Sequence, residues 1–158
     1  MLPRLLLILL LAVPALAASG RLSVGLEHFY NLEYDEAAAD FRKEAAAKPD
    51  DAAAWNHVAM SILFDEMFRF GALESELVNG TNPFLRRAKM NPSPADQQEF
   101  AAALQKAMAI SQARLDKNSK DVQALYNLGV AHGLRANYNF LVRKAYMDSL
   151  RAWNGWPT

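Results

Sequence analysis

The chain has 158 residues, 52% of them apolar and 22% charged, with 17 basic side chains against 17 acidic and no cysteine. That length suggests one domain or a short array of repeated units, and the apolar content excludes disorder along most of the chain. Zero net charge argues against general binding to a nucleic-acid backbone, and the lack of cysteine excludes disulfides, thiolate metal sites, Cys nucleophiles and a lipid on an N-terminal Cys.

The first segment reads as an address. Arg4 lies beside the amino terminus, Leu5 to Val13 is unbroken apolar sequence, Pro14 interrupts it, and Ala15-Leu16-Ala17 sets small residues at alternating positions. These are the three parts of a secretory signal peptide, here residues 1–17, with cleavage near Ala17. The competing reading, an uncleaved anchor, needs ~20 apolar residues, about twice what the run offers. Cleavage removes Arg4 alone among the charges, leaving 16 basic and 17 acidic. The expectation is an exported protein, periplasmic or secreted, with residues 18–158 as its helical domain.

In chain order, the apolar pattern predicts six helices, over 21–32, 34–47, 52–76, 94–117, 121–135 and 138–153. Asp51 and Asp121 are N-cap residues by type and place. Ser93-Pro94-Ala95-Asp96 orders a cap, a first-turn proline and an acidic residue. Between the third and fourth helices, near 77–93, Asn79-Gly80, Asn82-Pro83 and Asn91-Pro92 punctuate a loop that also carries Arg86, Arg87 and Lys89. The tail is apolar at Tyr138, Leu141, Val142, Ala145, Tyr146, Leu150 and Trp153. Such a face is open to a partner, a membrane surface or another copy of the chain.

The chain also repeats itself. Trp55, Val58 and Ala59 recur as Leu125, Leu128 and Gly129 at an offset of 70, two periods of 35, and Val24-Gly25 stands 34 before Val58-Ala59. A small residue thus returns at Gly25, Ala59 and Gly129. The block from Tyr34 adds Ala37 and Phe41 before a stop at Pro49. These residues resemble the tetratricopeptide repeat family, a helix–turn–helix unit of about 34 residues, in an exported bacterial form. The pattern departs at Arg21, His28 and Glu44 in the first unit, at Gly71, Ser75 and Val78 in the second, and at Asp148 in the last. The resemblance implies an all-α fold whose units stack as a short right-handed solenoid of about six helices, small residues marking the helix crossings. By period, a unit should open near Arg87, but Pro92 and Pro94 forbid its first helix, so the 77–93 loop replaces it. An ordinary helical bundle is the competing reading.

No catalytic, phosphate-loop or dinucleotide motif is present in the sequence, and neither cofactor nor metal is expected. His28, His57 and His132 are far apart, and the adjacent carboxylates Asp65 and Glu66 are a weak hydrolase candidate. The family resemblance implies instead a non-enzymatic scaffold that binds a protein or peptide through a concave groove. The groove residues it implies are Asn56, Met60, Leu63 and Phe64 in one unit and Gln123, Tyr126, Asn127 and Val130 in another. The basic set with which part of the family grips a terminal carboxylate is missing there, so an amphipathic helix or extended apolar segment suits the groove. Core packing of Met60, Leu63 and Phe64 competes with that role. The alternative function is a carrier of an apolar small molecule or lipid, which an enclosed cavity of ~300 Å³ or more between repeats would favour.

Overall fold

Most helices begin where the sequence supplies an acceptor for N–H groups that have no partner within the helix. The computed structural model describes residues 23–73 and 90–144. Within them α1 spans Val24–Tyr30, α2 Tyr34–Ala47, α3 Ala52–Arg69, α4 Pro94–Lys117 and α5 Val122–Asn137. Ser23 caps α1. Asp51 Oδ1 accepts from Ala53 N–H at 2.9 Å to open α3, Ser93 Oγ from Asp96 N–H at 3.1 Å to open α4, and Asp121 Oδ1 from Ala124 N–H at 3.1 Å to open α5. α2 has no side-chain cap but carries Asp35 and Glu36 in its first turn, where negative charge complements the helix dipole. The signal-peptide segment 1–17, residues 74–89 of the loop region and the distal part of the predicted last helix lie outside the described residues.

Two helices stop on the same device. After α3, Gly71 takes φ of 61°; its N–H bonds Phe68 O at 3.0 Å, and Ala72 N–H bonds Met67 O at 2.7 Å. This double closure is a Schellman stop. It ends α3 at Arg69, seven residues before the boundary at 76 that the apolar pattern implies. After α1, Leu32 holds the equivalent left-handed place at φ 65°, with Leu32 N–H to Phe29 O at 3.2 Å and Glu33 N–H to His28 O at 2.9 Å.

Consecutive helices pack on one another from α1 to α5, and α3 also touches α5, which places α3 at the centre. Its burial shows this: Ala52, Ala54, Val58, Ala59, Ile62 and Leu63 point inward on more than one side. Alanine makes the close crossings: Ala37, Ala45, Ala59, Ala107 and Ala131 are all wholly buried. At Gly25 even a methyl group is too large, since a Cβ there would stand 2.6 Å from Phe41 Cε1. Two of the three recurring small residues, Gly25 and Ala59, therefore sit at helix contacts. Gly129 does not: a Cβ there would meet nothing within 4 Å, and Leu125 beside it is half exposed.

The turn expected between a fifth and a sixth helix is absent. α5 runs through Asn137 into one wide π-turn, Tyr138–Val142, closed by Arg143 N–H to Tyr138 O at 3.0 Å. The widening lets the consecutive residues Tyr138 and Asn139 both turn inward, together with Val142. The described residues thus form an all-helical fold of five packed helices and one π-turn. None of these helices is long and apolar enough to cross a membrane.

Candidate functional site

The seam between α3 and α5 is held by an amide. Asn56 Nδ2 donates to Asn127 O at 2.9 Å, and both residues are buried. Gln123 Nε2 reaches Asn127 Oδ1 at 3.4 Å. Because the two helices lie directly side by side, residues that face each other are covered. Asn56, Leu63 and Asn127 are therefore interior positions, not the open groove wall that the family pattern implies. Met60, Phe64 and Val130 are half-buried against the core, whereas Gln123 and Tyr126 are exposed.

The outer side of α5 is the less expected feature. Val122, Leu125 and Tyr126 are 77%, 50% and 66% exposed, and Gly129 and Gly133 continue the same line with open space at both. The spacing i, i+3, i+4, i+7, i+11 is one helix face. Leu125 and Gly129, expected as packing residues of the repeat, stand on this uncovered face, and Leu128 is half-buried. Their counterparts Trp55 and Ala59 are engaged. Trp55 Nε1 donates to Pro49 O at 2.9 Å, Lys106 Nζ lies 3.8 Å from its ring centre, and Ala59 is enclosed.

A second apolar surface joins α1, α2 and α3. Phe29 packs edge-on against Phe64 at 5.0 Å and Tyr34 at 5.3 Å, and Tyr34 against Phe68 at 5.6 Å. Tyr30, Leu32, Phe68 and Phe70 form its exposed rim. Sequence reasoning missed this cluster because its members come from three elements and share no common spacing.

The carboxylates of interest serve Arg69. Its guanidinium contacts Asp65 at 3.0 Å and Asp96 at 3.5 Å, and binds Glu66 as well. Burial pushes Asp65 and Glu66 above the usual carboxylate range, against the pull of Arg69. Glu66 is only 1% exposed, so no substrate reaches it as placed. His57 is held below the usual imidazole value by burial and packs on Phe41, ring centres 4.9 Å apart. His28 is raised by its 2.6 Å bond to Glu33. Among the described residues no group of three or more His, Asp or Glu is placed to hold a metal ion.

α4, the end of α5 and the π-turn enclose a cleft of about 630 Å³. Ala101 and Met108 give its accessible apolar surface, over the buried Phe100 and Leu104, and Arg135, Tyr138 and Arg143 also line it. Phe100 and Tyr138 stack at 4.1 Å between ring centres. Burial, with the Glu66 charge nearby, pushes the Tyr138 phenol up to about 12, so it stays a neutral hydroxyl. Comparison of the chain with family models, with curated proteins and with solved structures found no match.

Proposed function

We propose that the chain is an exported, non-catalytic helical-repeat scaffold of tetratricopeptide type that binds a helical segment of another protein. The observation that carries this reading is the uncovered face of α5. Three large apolar side chains stand at helical spacing, followed by two glycines with open space above them. Single exposed apolar residues are ordinary, but a continuous stripe marks an interaction site. Glycine in such a stripe leaves room for a partner's side chain or backbone to come close, as Gly25 makes room for the Phe41 ring between α1 and α2. Tyr126 is the expected anchor, since tyrosine offers large area at low entropy cost. Gln123, exposed one turn before Asn127, supplies a polar edge.

The test is selection of helical peptides on the immobilised protein, followed by fluorescence anisotropy against variants. Tyr126→Ala and Gly129→Leu should each weaken binding about tenfold or more, a loss in the range of hot-spot truncations, with the circular dichroism spectrum unchanged. Failure to enrich any peptide, or equal binding by both variants, refutes the reading. Sedimentation equilibrium separates the case in which the partner is a second copy: a dimer lost in Gly129→Leu identifies self-association through this face.

A further inference from the structure

The cleft between α4 and the end of α5 has a charge pattern that the peptide reading does not use. Of the described residues, ten line it, two of them arginines and none of them acidic, in a chain whose charges balance overall. Neither arginine is neutralised by a carboxylate among the described residues. Arg135 Nη2 contacts His132 Nδ1 at 3.0 Å, and its buried Nε makes no hydrogen bond within the protein. Among the described residues, Arg143 Nη1 donates to the amide oxygen of Asn139 at 3.2 Å. The other guanidiniums described, Arg42, Arg69 and Arg114, all hold carboxylates. A pair of unneutralised guanidiniums beside an apolar wall is a recognition pattern for an anion with a hydrophobic body.

We propose that this cleft binds a single-chain anionic amphiphile of the fatty-carboxylate class. The carboxylate lies between Arg135 and Arg143, and the hydrocarbon chain runs over Ala101 and Met108. The volume of about 630 Å³ falls within the range of sites that hold one small molecule. The π-turn has a part in the site, because it brings Tyr138 and Asn139 inward together and carries the chain on to Arg143. Turns of this kind are frequent at functional sites. The cleft engages the last part of α5, beyond the Val122–Gly133 stripe, so the two sites are separable by mutation.

Isothermal titration calorimetry of the whole protein with decanoate, kept below its micelle concentration, tests the assignment. One molar equivalent should bind. Decanol and decyltrimethylammonium should bind at least tenfold more weakly, because each lacks the charge that the guanidiniums select. Arg143→Gln changes an exposed side chain and should weaken decanoate at least tenfold without lowering the melting temperature. The Arg135→Gln/Arg143→Gln double variant should abolish binding, and the Arg135 Nε resonance of the wild type should shift on titration. Vesicles of anionic phospholipid serve as the other source of the same head-group charge: binding to vesicles but not to free decanoate overturns the proposal. So does equal affinity for decanol and decanoate, or an Arg143→Gln variant that binds as the wild type does. Loss of peptide binding in Tyr126→Ala leaves decanoate binding intact if the two sites are independent.

Discussion

Gly25 and Gly129 hold the same place in the sequence repeat, and the structure predicts opposite results for the same substitution. At Gly25 an alanine methyl would stand 2.6 and 2.7 Å from two carbons of the Phe41 ring, where carbon atoms rest at about 3.5–4.0 Å. Phe41 is wholly buried, so the ring has nowhere to retreat. Overpacking of this kind costs about 1–3 kcal/mol. Against it stands the helix preference of alanine over glycine, about 0.5–1 kcal/mol. Gly25→Ala should therefore lose about 1 kcal/mol net near the middle of these two ranges and no more than about 2.5. At Gly129 nothing lies within 4 Å, so only the helix term acts and Gly129→Ala should gain about 0.5–1 kcal/mol. Urea unfolding followed by circular dichroism measures both. With a slope of about 1–3 kcal/mol per molar urea, the two midpoints should fall on opposite sides of wild type, several tenths of a molar apart. A Gly25→Ala midpoint above wild type refutes the tight α1–α2 crossing. A destabilised Gly129→Ala refutes the open face on α5.

Asn56→Ala removes the side-chain donor to Asn127 O, a carbonyl inside α5 that keeps its helical bond, so it should cost about 0.5–1.5 kcal/mol, the net worth of one hydrogen bond; a urea midpoint unchanged from wild type would show that the seam does not depend on the amide. Leu32→Gly relieves a left-handed backbone that costs a branched L residue about 1–2 kcal/mol, offset by about 0.5–1 kcal/mol of unfolded-state freedom, so thermal melting should show no loss and up to about 1 kcal/mol gained. Burial raises Glu66 in the folded state above its unfolded value. Its contribution is therefore fully present below the unfolded value and is lost as pH rises through the raised folded one. Relative to Glu66→Gln, wild type should become more stable as pH falls from neutral through that window. The comparison cancels His57, whose depressed value acts the other way, its stability fading as pH falls through the unfolded imidazole value; parallel pH profiles for the two proteins would refute the assignment.

How far the sequence could be read depended on whether a feature was local. Asp51, Ser93 and Asp121 were legible as caps because each bonds an N–H two or three residues away. The α1–α2 crossing was legible because Gly25, Ala37 and Phe41 carry a spacing whose physical meaning is backbone approach. The end of α3 was not, because its apolar periodicity continues past Gly71, and a periodicity test weighs one glycine less than several hydrophobic residues. The π-turn was not legible either: one extra residue in a turn changes no composition and only shifts the phase of a short stretch. Asn56 and Asn127 misled in a different way. The repeat pattern implies groove positions for them, and the bond that buries them joins residues 71 positions apart. The cleft required the same long-range knowledge, since its wall comes from α4 and its charges from the far end of α5.

The uncovered stripe on α5 also sets how strongly it can bind. Fully burying a large apolar side chain contributes about 1.5–3 kcal/mol. Val122, Leu125 and Tyr126, at 77%, 50% and 66% exposed, together present about two side chains' worth of surface, so covering them contributes roughly 3–6 kcal/mol. Association from free solution costs at least about 4 kcal/mol, so these three contacts alone leave a free peptide at an affinity of tens of millimolar or weaker. A partner that binds usefully must add contacts beyond the stripe, and exposed Gln123 and Phe140 lie along the same helix and the turn that extends it. Alternatively it must be tethered, which replaces the entropic cost of free association with an effective concentration in the millimolar range. The two cases separate in one measurement. A selected peptide fused to the scaffold through a flexible linker should raise the melting temperature, and Gly129→Leu should cancel the rise. If the fused peptide leaves the melting temperature unchanged while the free peptide binds at micromolar strength, the contact is elsewhere and the α5 face is not the site.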